Sequence, residues 1–221
     1  MLKYIYIISI LSFVCLAVTC QNKEEWIPAK GFTLGVNLVN PVNSIFDSER
    51  IGFSFFSRIT YKNDLYFFGE AGFENISFEK ETYSYNSNGS FFKIGMEKDL
   101  LKMKKKEVGR NDNLLIGVCY GYAFQEQGAP KFVIANSYWS DYQGKFGNYT
   151  VQTHWLDVAF GPRAEMFKNF FMSWCLNIKF TIYQKNPNII SPYVIPGFGN
   201  GNNKVNASFS YNIEYLIPWK K

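Results

Sequence analysis

Residues 114–125 read Leu-Leu-Ile-Gly-Val-Cys-Tyr-Gly-Tyr-Ala-Phe-Gln. Leu114, Ile116, Val118, Tyr120, Tyr122 and Phe124 fall on one parity, and Gly117, Cys119, Gly121, Ala123 and Gln125 fall on the other. A period of two marks an extended strand, whose successive side chains point to opposite faces. One face of this strand is bulky and apolar, and the other is small.

The same alternation recurs on both sides of this stretch. It predicts eight strands, at Gly31–Asn40, Ile51–Tyr61, Leu65–Phe78, Phe91–Asp99, Leu114–Gln125, His154–Met166, Phe170–Tyr183 and Ala207–Trp219. Leu65–Phe78 is the weakest, because Gly69 and Ala71 thin its apolar face. No amphipathic helix is expected after the first 20 residues. The polar parity carries Arg58, Glu70, Glu74, Lys93, Glu97, Asp157, Arg163, Glu165, Lys179 and Glu214. The opposite parity carries residues such as Leu34, Phe53, Phe55, Phe67, Phe73, Ile94, Met96, Leu156, Phe160, Trp174, Leu176 and Tyr215.

With 221 residues, the chain is the size of one domain, which excludes a multidomain machine. Its 47% hydrophobic and 19% aromatic content exceeds what a disordered chain carries. Residues 1–20 read as a secretory signal peptide: Lys3, an apolar run from Tyr4 to Val18, then Ala17-Val18-Thr19-Cys20 before a polar stretch. That run is shorter than the roughly 20 apolar residues of a membrane-spanning helix. Cleavage after Cys20 leaves Gln21 first. Lipidation of Cys20 is the alternative, with a poor lipobox because Leu16 falls one position too early. Residues 21–30 then form a lead-in, and 31–221 form the strand domain.

The net charge of +5 owes much to the run Lys102, Lys104, Lys105 and Lys106. A local run is a solvated turn, and no nucleic-acid motif accompanies it, so no nucleic-acid partner is expected.

Two barrels share this parity pattern: a soluble one with an apolar core, and a transmembrane one with a polar lumen. Composition separates them. The apolar faces hold consecutive bulky residues without a charge, while the other faces mix charge with Gly, Ala, Ser and Cys, as a cramped lumen requires. The strands have the roughly 9 to 11 residues a membrane crossing needs, and a closed barrel is the one β solution in lipid. The connections agree. Lys62–Asp64 and Phe167–Asn169 are short turns on the amino-terminal side, with the lysine-rich Leu100–Asn113 as the third. Pro41–Arg50, Glu79–Ser90, Gly128–Thr153 and Lys185–Asn206 are the outer loops, two of them long. Tyr61, Tyr66, Phe124, Trp155, Phe170 and Trp219 are placed for interfacial girdles, although Trp155 has lumen parity. The expected fold is therefore all-β: an eight-stranded antiparallel up-and-down transmembrane barrel, located in the outer membrane.

Gly31-Phe32 through Asp47, His154-Trp155-Leu156 followed by Gly161, Lys179-Phe180 with Gln184-Lys185, Ile195-Pro196-Gly197-Phe198-Gly199 and Tyr215-Leu216-Ile217-Pro218 follow one another in this order along the chain. With these pieces the chain resembles a Bacteroidota family of outer-membrane β-barrels termed domain of unknown function 6048, and more broadly the small OmpA/OmpX-type barrels. The resemblance spans nearly the whole mature chain. It implies fold and compartment and brings no catalytic residues. The last strand, with Phe209, Tyr211, Ile213, Tyr215, Ile217 and Trp219, looks like the signal read by the barrel assembly machinery, departing from it where Lys220 and Lys221 follow the aromatic.

The ten lumen charges are expected to pair as a plug, because an unpaired buried charge is very costly. His154 is the single histidine, so no metal cluster is expected. It sits near the outer rim, where some outer-membrane barrels modify lipid A using His and Ser, but Leu156 stands where a hydroxyl is needed. Cys119 and Cys175, on strands separated by one other, lie about 10 Å apart by strand spacing and are expected to be free thiols. Tyr138, Trp139, Tyr142, Phe146, Tyr149 and, in the last loop, Phe198 are candidates for surface contact. The expected protein is a monomer without cofactor, embedded in outer-membrane lipid and meeting a surface partner through its loops. An outer-membrane lipid-modifying enzyme, a soluble ligand-binding barrel and a small channel are the alternatives.

Overall fold

The computed structural model describes residues 30–46, 49–62, 64–101, 111–134, 140–185 and 191–219. In chain order the elements are β1 (Gly31–Asn37), α1 (Val39–Phe46), β2 (Arg50–Lys62), β3 (Leu65–Glu79), β4 (Tyr83–Asp99), β5 (Asn113–Ile134), β6 (Tyr142–Phe167), β7 (Phe170–Lys185), β8 (Val194–Ile195), β9 (Gly199–Asn200) and β10 (Val205–Pro218). Eight strands close into an antiparallel barrel in the order β1-β10-β7-β6-β5-β4-β3-β2, while β8 and β9 make a separate small hairpin.

The register fixes which parity faces in. Val118 stands opposite Met96 and Val158, and Cys119 opposite Gly95 and Asp157. Leu34, Phe55, Ile94, Val118, Leu156, Phe160, Trp174 and Leu176 are all exposed, whereas Arg58, Lys93, Asp157, Arg163 and Glu214 are buried. The apolar parity is the outside of the ring and the charged parity its lumen.

The outer ends depart from expectation. β4 begins at Tyr83 rather than Phe91, and β5 and β6 extend through most of the anticipated loop 128–153 as one tall hairpin, with Phe132 opposite Gly144. Register shifts at Gln127/Ala129 and Ala129/Phe132 absorb Gly128 and Pro130, the residues that read as a loop. Asn86 and Asn88 pair with strands on both sides, which overrides their weak strand preference. The first strand ends at Asn37 rather than Asn40, and the helix α1 takes up its expected end and the first part of the expected loop 41–50. Asn37 Oδ1 caps it by accepting from the Val39 N–H (3.0 Å), and Pro41 falls in the first turn, where its missing N–H does no harm. Val39, Val42, Ile45 and Phe46 do recur at helical spacing, but over only eight residues, half of them Asn, Pro and Ser, the pattern reads as a loop.

Two of the expected girdle aromatics point inward. Trp155 is fully buried in the lumen, and Tyr66 accepts a hydrogen bond from Asn113 Nδ2 (3.3 Å) at the lumen's amino-terminal end. Tyr61, Phe124 and Trp219 are exposed on the outside. Glycines make room for the large interior rings. A Cβ on Gly121 would collide with the Trp155 indole, and one on Gly35 with the Phe56 ring.

Gly121→Ala is therefore expected to destabilise the barrel by about 1–3 kcal/mol through overpacking. Gly69→Ala, whose Cβ meets nothing nearer than 3.7 Å, is expected to stay within about 0.5 kcal/mol of the parent. Urea unfolding of the folded protein in micelles, followed by tryptophan fluorescence, measures both; equal midpoints would refute this packing.

Candidate functional site

Neighbouring and next-but-one strands bring the lumen charges together. Arg58, on β2, pairs with Glu97 of β4 (2.5 Å) and Glu214 of β10 (2.6 Å), and Glu214 also takes Arg163 of β6 (2.7 Å). Ser173 Oγ donates to Glu214 (2.5 Å), and Arg163 donates to Asn113 Oδ1 (3.0 Å) while lying 3.6 Å over the Phe171 ring. A second group sets Lys93 between Glu70 (2.7 Å) and Asp157 (3.0 Å). At the outer rim Arg50 pairs with Glu74. Arg50 was hidden from the sequence pattern because it sits at a strand start that reads as loop.

Two of the ten expected lumen charges behave differently. Glu165 stands at the amino-terminal end, accepting from Asn111 Nδ2 (2.7 Å) and from the Asn169 N–H (2.9 Å), and so closes the β6–β7 turn. Asn169 has φ +66°, a left-handed conformation that asparagine tolerates. Lys179 has no ion pair among the described residues and donates to the Gly197 carbonyl (2.8 Å).

That carbonyl belongs to the last outer loop, which folds down into the barrel mouth. Ile195-Pro196-Gly197-Phe198 makes a tight turn, with the Phe198 N–H donating to Ile195 O (3.0 Å) and Gly197 at φ +69°, as a type II turn requires of its third residue. The turn drives Ile195 and Phe198 against Phe91, Ala123 and Trp155, all buried. Gln125 Nε2 holds the same loop by donating to Val194 O (3.2 Å). Phe198 is therefore a lid residue packed on Trp155 (ring centroids 5.8 Å apart), and the expectation of a surface contact there is corrected: a turn this tight points its flanking apolar side chains into the mouth.

Beneath the lid the lumen is not filled. A cavity of about 480 Å³ remains, bordered by Lys93, Asp157 and Lys179, by asparagines of α1, β7 and β10, and by both Cys119 and Cys175. Both cysteines are free thiols. A plug of side chains alone, as expected for eight strands, thus accounts for the amino-terminal half of the lumen and not for the outer half.

Tyr138 and Trp139 lie outside the described residues, as do the leader and the lysine run 102–106. Tyr142 and Phe146 are exposed and gather on Phe132, the Phe146 ring stacking at 4.8 Å. Tyr149 is tied down by accepting from Gln127 Nε2 (2.7 Å). On the barrel's exterior, His154 Nδ1 meets Tyr120 OH at 2.5 Å, with the Tyr122 and Tyr183 rings alongside. Among the described residues no three metal-ligating side chains form a group.

Glu214 joins two guanidinium groups, so Glu214→Ala is expected to cost about 3–5 kcal/mol, the usual penalty for a buried charge left without its partner. Glu165→Ala, at the rim, is expected to cost about 1 kcal/mol. The temperature at which each variant loses its folded form in SDS ranks them, and a Glu214 variant as robust as the Glu165 one would contradict the network.

No curated protein matches the chain. The family model described as Domain of unknown function (DUF6048) matches residues 1–221, the whole length. The chain belongs to this family of unknown function, whose member here is an all-β ring of eight antiparallel strands.

Proposed function

We infer that this protein is a monomeric outer-membrane β-barrel that carries out no chemistry of its own, serving the envelope as a lipid-embedded scaffold whose outer hairpins and loops meet partners at the surface. The observation that carries this reading is the inversion of the ring: large apolar side chains cover its exterior while arginines, lysines and carboxylates fill its lumen. In water such an exterior is untenable. Each large apolar side chain withdrawn from water contributes about 1.5–3 kcal/mol, and soluble monomers rarely expose a continuous apolar patch beyond a few hundred Å². In lipid the same surface costs nothing, and a closed ring leaves few backbone groups unpaired.

The paired charges between Glu97 and Arg163 cross the lumen and oppose a channel. His154 favours an enzymatic reading through its short contact with Tyr120, yet its described neighbours are aromatic rings, which suit an interfacial belt better than acyl transfer. Loss of the gene is expected to leave lipid A unchanged.

The decisive experiment is gel mobility of the protein from a detergent-extracted outer-membrane fraction, boiled against unboiled. A heat-dependent shift in that fraction is expected. Recovery in the soluble periplasm with no shift would refute the reading and turn attention to a soluble ligand-binding barrel.

A further inference from the structure

The barrel wall is not equally tall all round. β1 ends at Asn37, so on that side β10 is paired only over Asn212–Pro218, and a last backbone bond, Leu38 N–H to Tyr211 O (2.8 Å), finishes the ladder. Residues 205–210 stay paired with β7, but among the described residues no strand adjoins their other edge. Backbone groups of alternate residues in a strand point the same way, so those of Ala207 and Phe209 turn to this side with the Tyr211 carbonyl. Across the interval β2 continues to Arg50, paired with β3. α1 stands between, fixed to β2 by the Gly52 N–H donating to Ser44 Oγ (3.3 Å).

The lumen cavity reaches this interval. Its border includes Ser208 and Ser210, which have lumen parity, and also Ala207 and Phe209, which have exterior parity. Both faces of one strand border one cavity where that strand's edge is open. Apolar side chains flank the opening: Val205 and Phe209 on β10, Ile51 and Phe53 on β2, Val42 and Ile45 on α1, all exposed. Access from above is narrowed by Phe198 and by the Lys179 bond to Gly197.

We propose that this side opening is a portal for a membrane lipid, whose polar head occupies the lumen cavity while its acyl chains lie along the apolar flanks. The proposal rests on the outer-membrane reading above. In hydrocarbon a bare strand edge costs several kcal/mol per unpaired group, and a polar head supplies donors and acceptors there. The volume falls within the roughly 300–1,000 Å³ of ordinary ligand sites. The cavity's border holds four bases, Arg50, Arg58, Lys93 and Lys179, and four acids, Glu70, Glu74, Glu97 and Asp157, most of them already paired. Without net charge to offer, the site selects a head without net charge. Its asparagines on α1, β7 and β10 carry both donors and acceptors, which match hydroxyl and amine groups. A water-soluble ligand would draw nothing from the apolar flanks.

The test is native mass spectrometry of heat-modifiable protein, released from a polyoxyethylene detergent after incubation with monogalactosyl diacylglycerol, phosphatidylethanolamine or phosphatidylglycerol. One copy of the galactolipid or of phosphatidylethanolamine is expected to be held about tenfold more tightly than phosphatidylglycerol. Ser208→Trp, which fills the cavity from β10, and Asn43→Trp, which fills it from the exposed face of α1, are each expected to abolish that retention. The portal is overturned by equal retention of all three lipids or by retention unchanged in both variants, either of which marks lipid adhering to the outside. Displacement by free galactose as effective as by the galactolipid also overturns it, in favour of a soluble ligand. Because only protein with a heat-dependent mobility shift is used, lack of bound lipid counts against the portal, whereas lack of the shift counts against the outer-membrane reading itself.

Discussion

A ring of eight strands encloses a space so narrow that a charge inside it finds its partner on the strand beside it or on the one beyond. Glu214 illustrates the consequence, reaching Arg58 and Arg163 each from one strand beyond its neighbour while Ser173 of the adjacent β7 supplies a further donor. Lys93 reaches Glu70 directly across on β3 and Asp157 two strands away on β6. With Arg50–Glu74 at the rim, four bases pair with five acids, while Lys179 is held by the Gly197 carbonyl of the lid and the buried Asp99 by Asn113. The same narrowness dictates the glycines. Phe56, Phe91 and Trp155 fit because Gly35, Gly72 and Gly121 face them without a Cβ.

What the sequence makes legible follows from periodicity. Alternation over eight or more residues identified every strand of the ring, and the parity of Arg58, Lys93, Asp157 and Glu214 identified the buried face, since each side chain's direction is set by its place in the ladder. The remainder depends on contacts between distant residues. Phe198 sits in a glycine-rich loop, and nothing local says that its ring reaches Trp155, more than forty residues earlier in the chain. Phe56, Phe91 and Phe171 share the charged parity yet are apolar, so composition alone described a charged lumen and missed its aromatic filling. Gly128 and Pro130 read as loop residues because a bulge within a paired hairpin has the same local chemistry as a turn. The cavity had no sequence signal, being bounded by residues from most strands of the ring and from the last loop.

The short β1 and the long β5–β6 hairpin are two ends of one asymmetry. Where β4, β5 and β6 rise above the ring they carry a sheet outward, and the Tyr142–Val151 part of β6, whose other edge is paired by no strand among the described residues, has Lys145 and the facing bulges to discourage unwanted pairing. Tyr142 and Phe146 sit on that sheet's exposed surface beside Phe132, as ring contacts within a paired hairpin rather than as loop residues. On the opposite side the wall is low, and a helix rather than a strand spans the interval to β10. A tall wall exposes side chains to the exterior, and a low wall exposes the lumen to whatever lies beside it. The closed ion network below and the lid above leave the outer half of the lumen in communication with its flank, so position around the ring, as much as depth along it, determines what each part of this barrel meets.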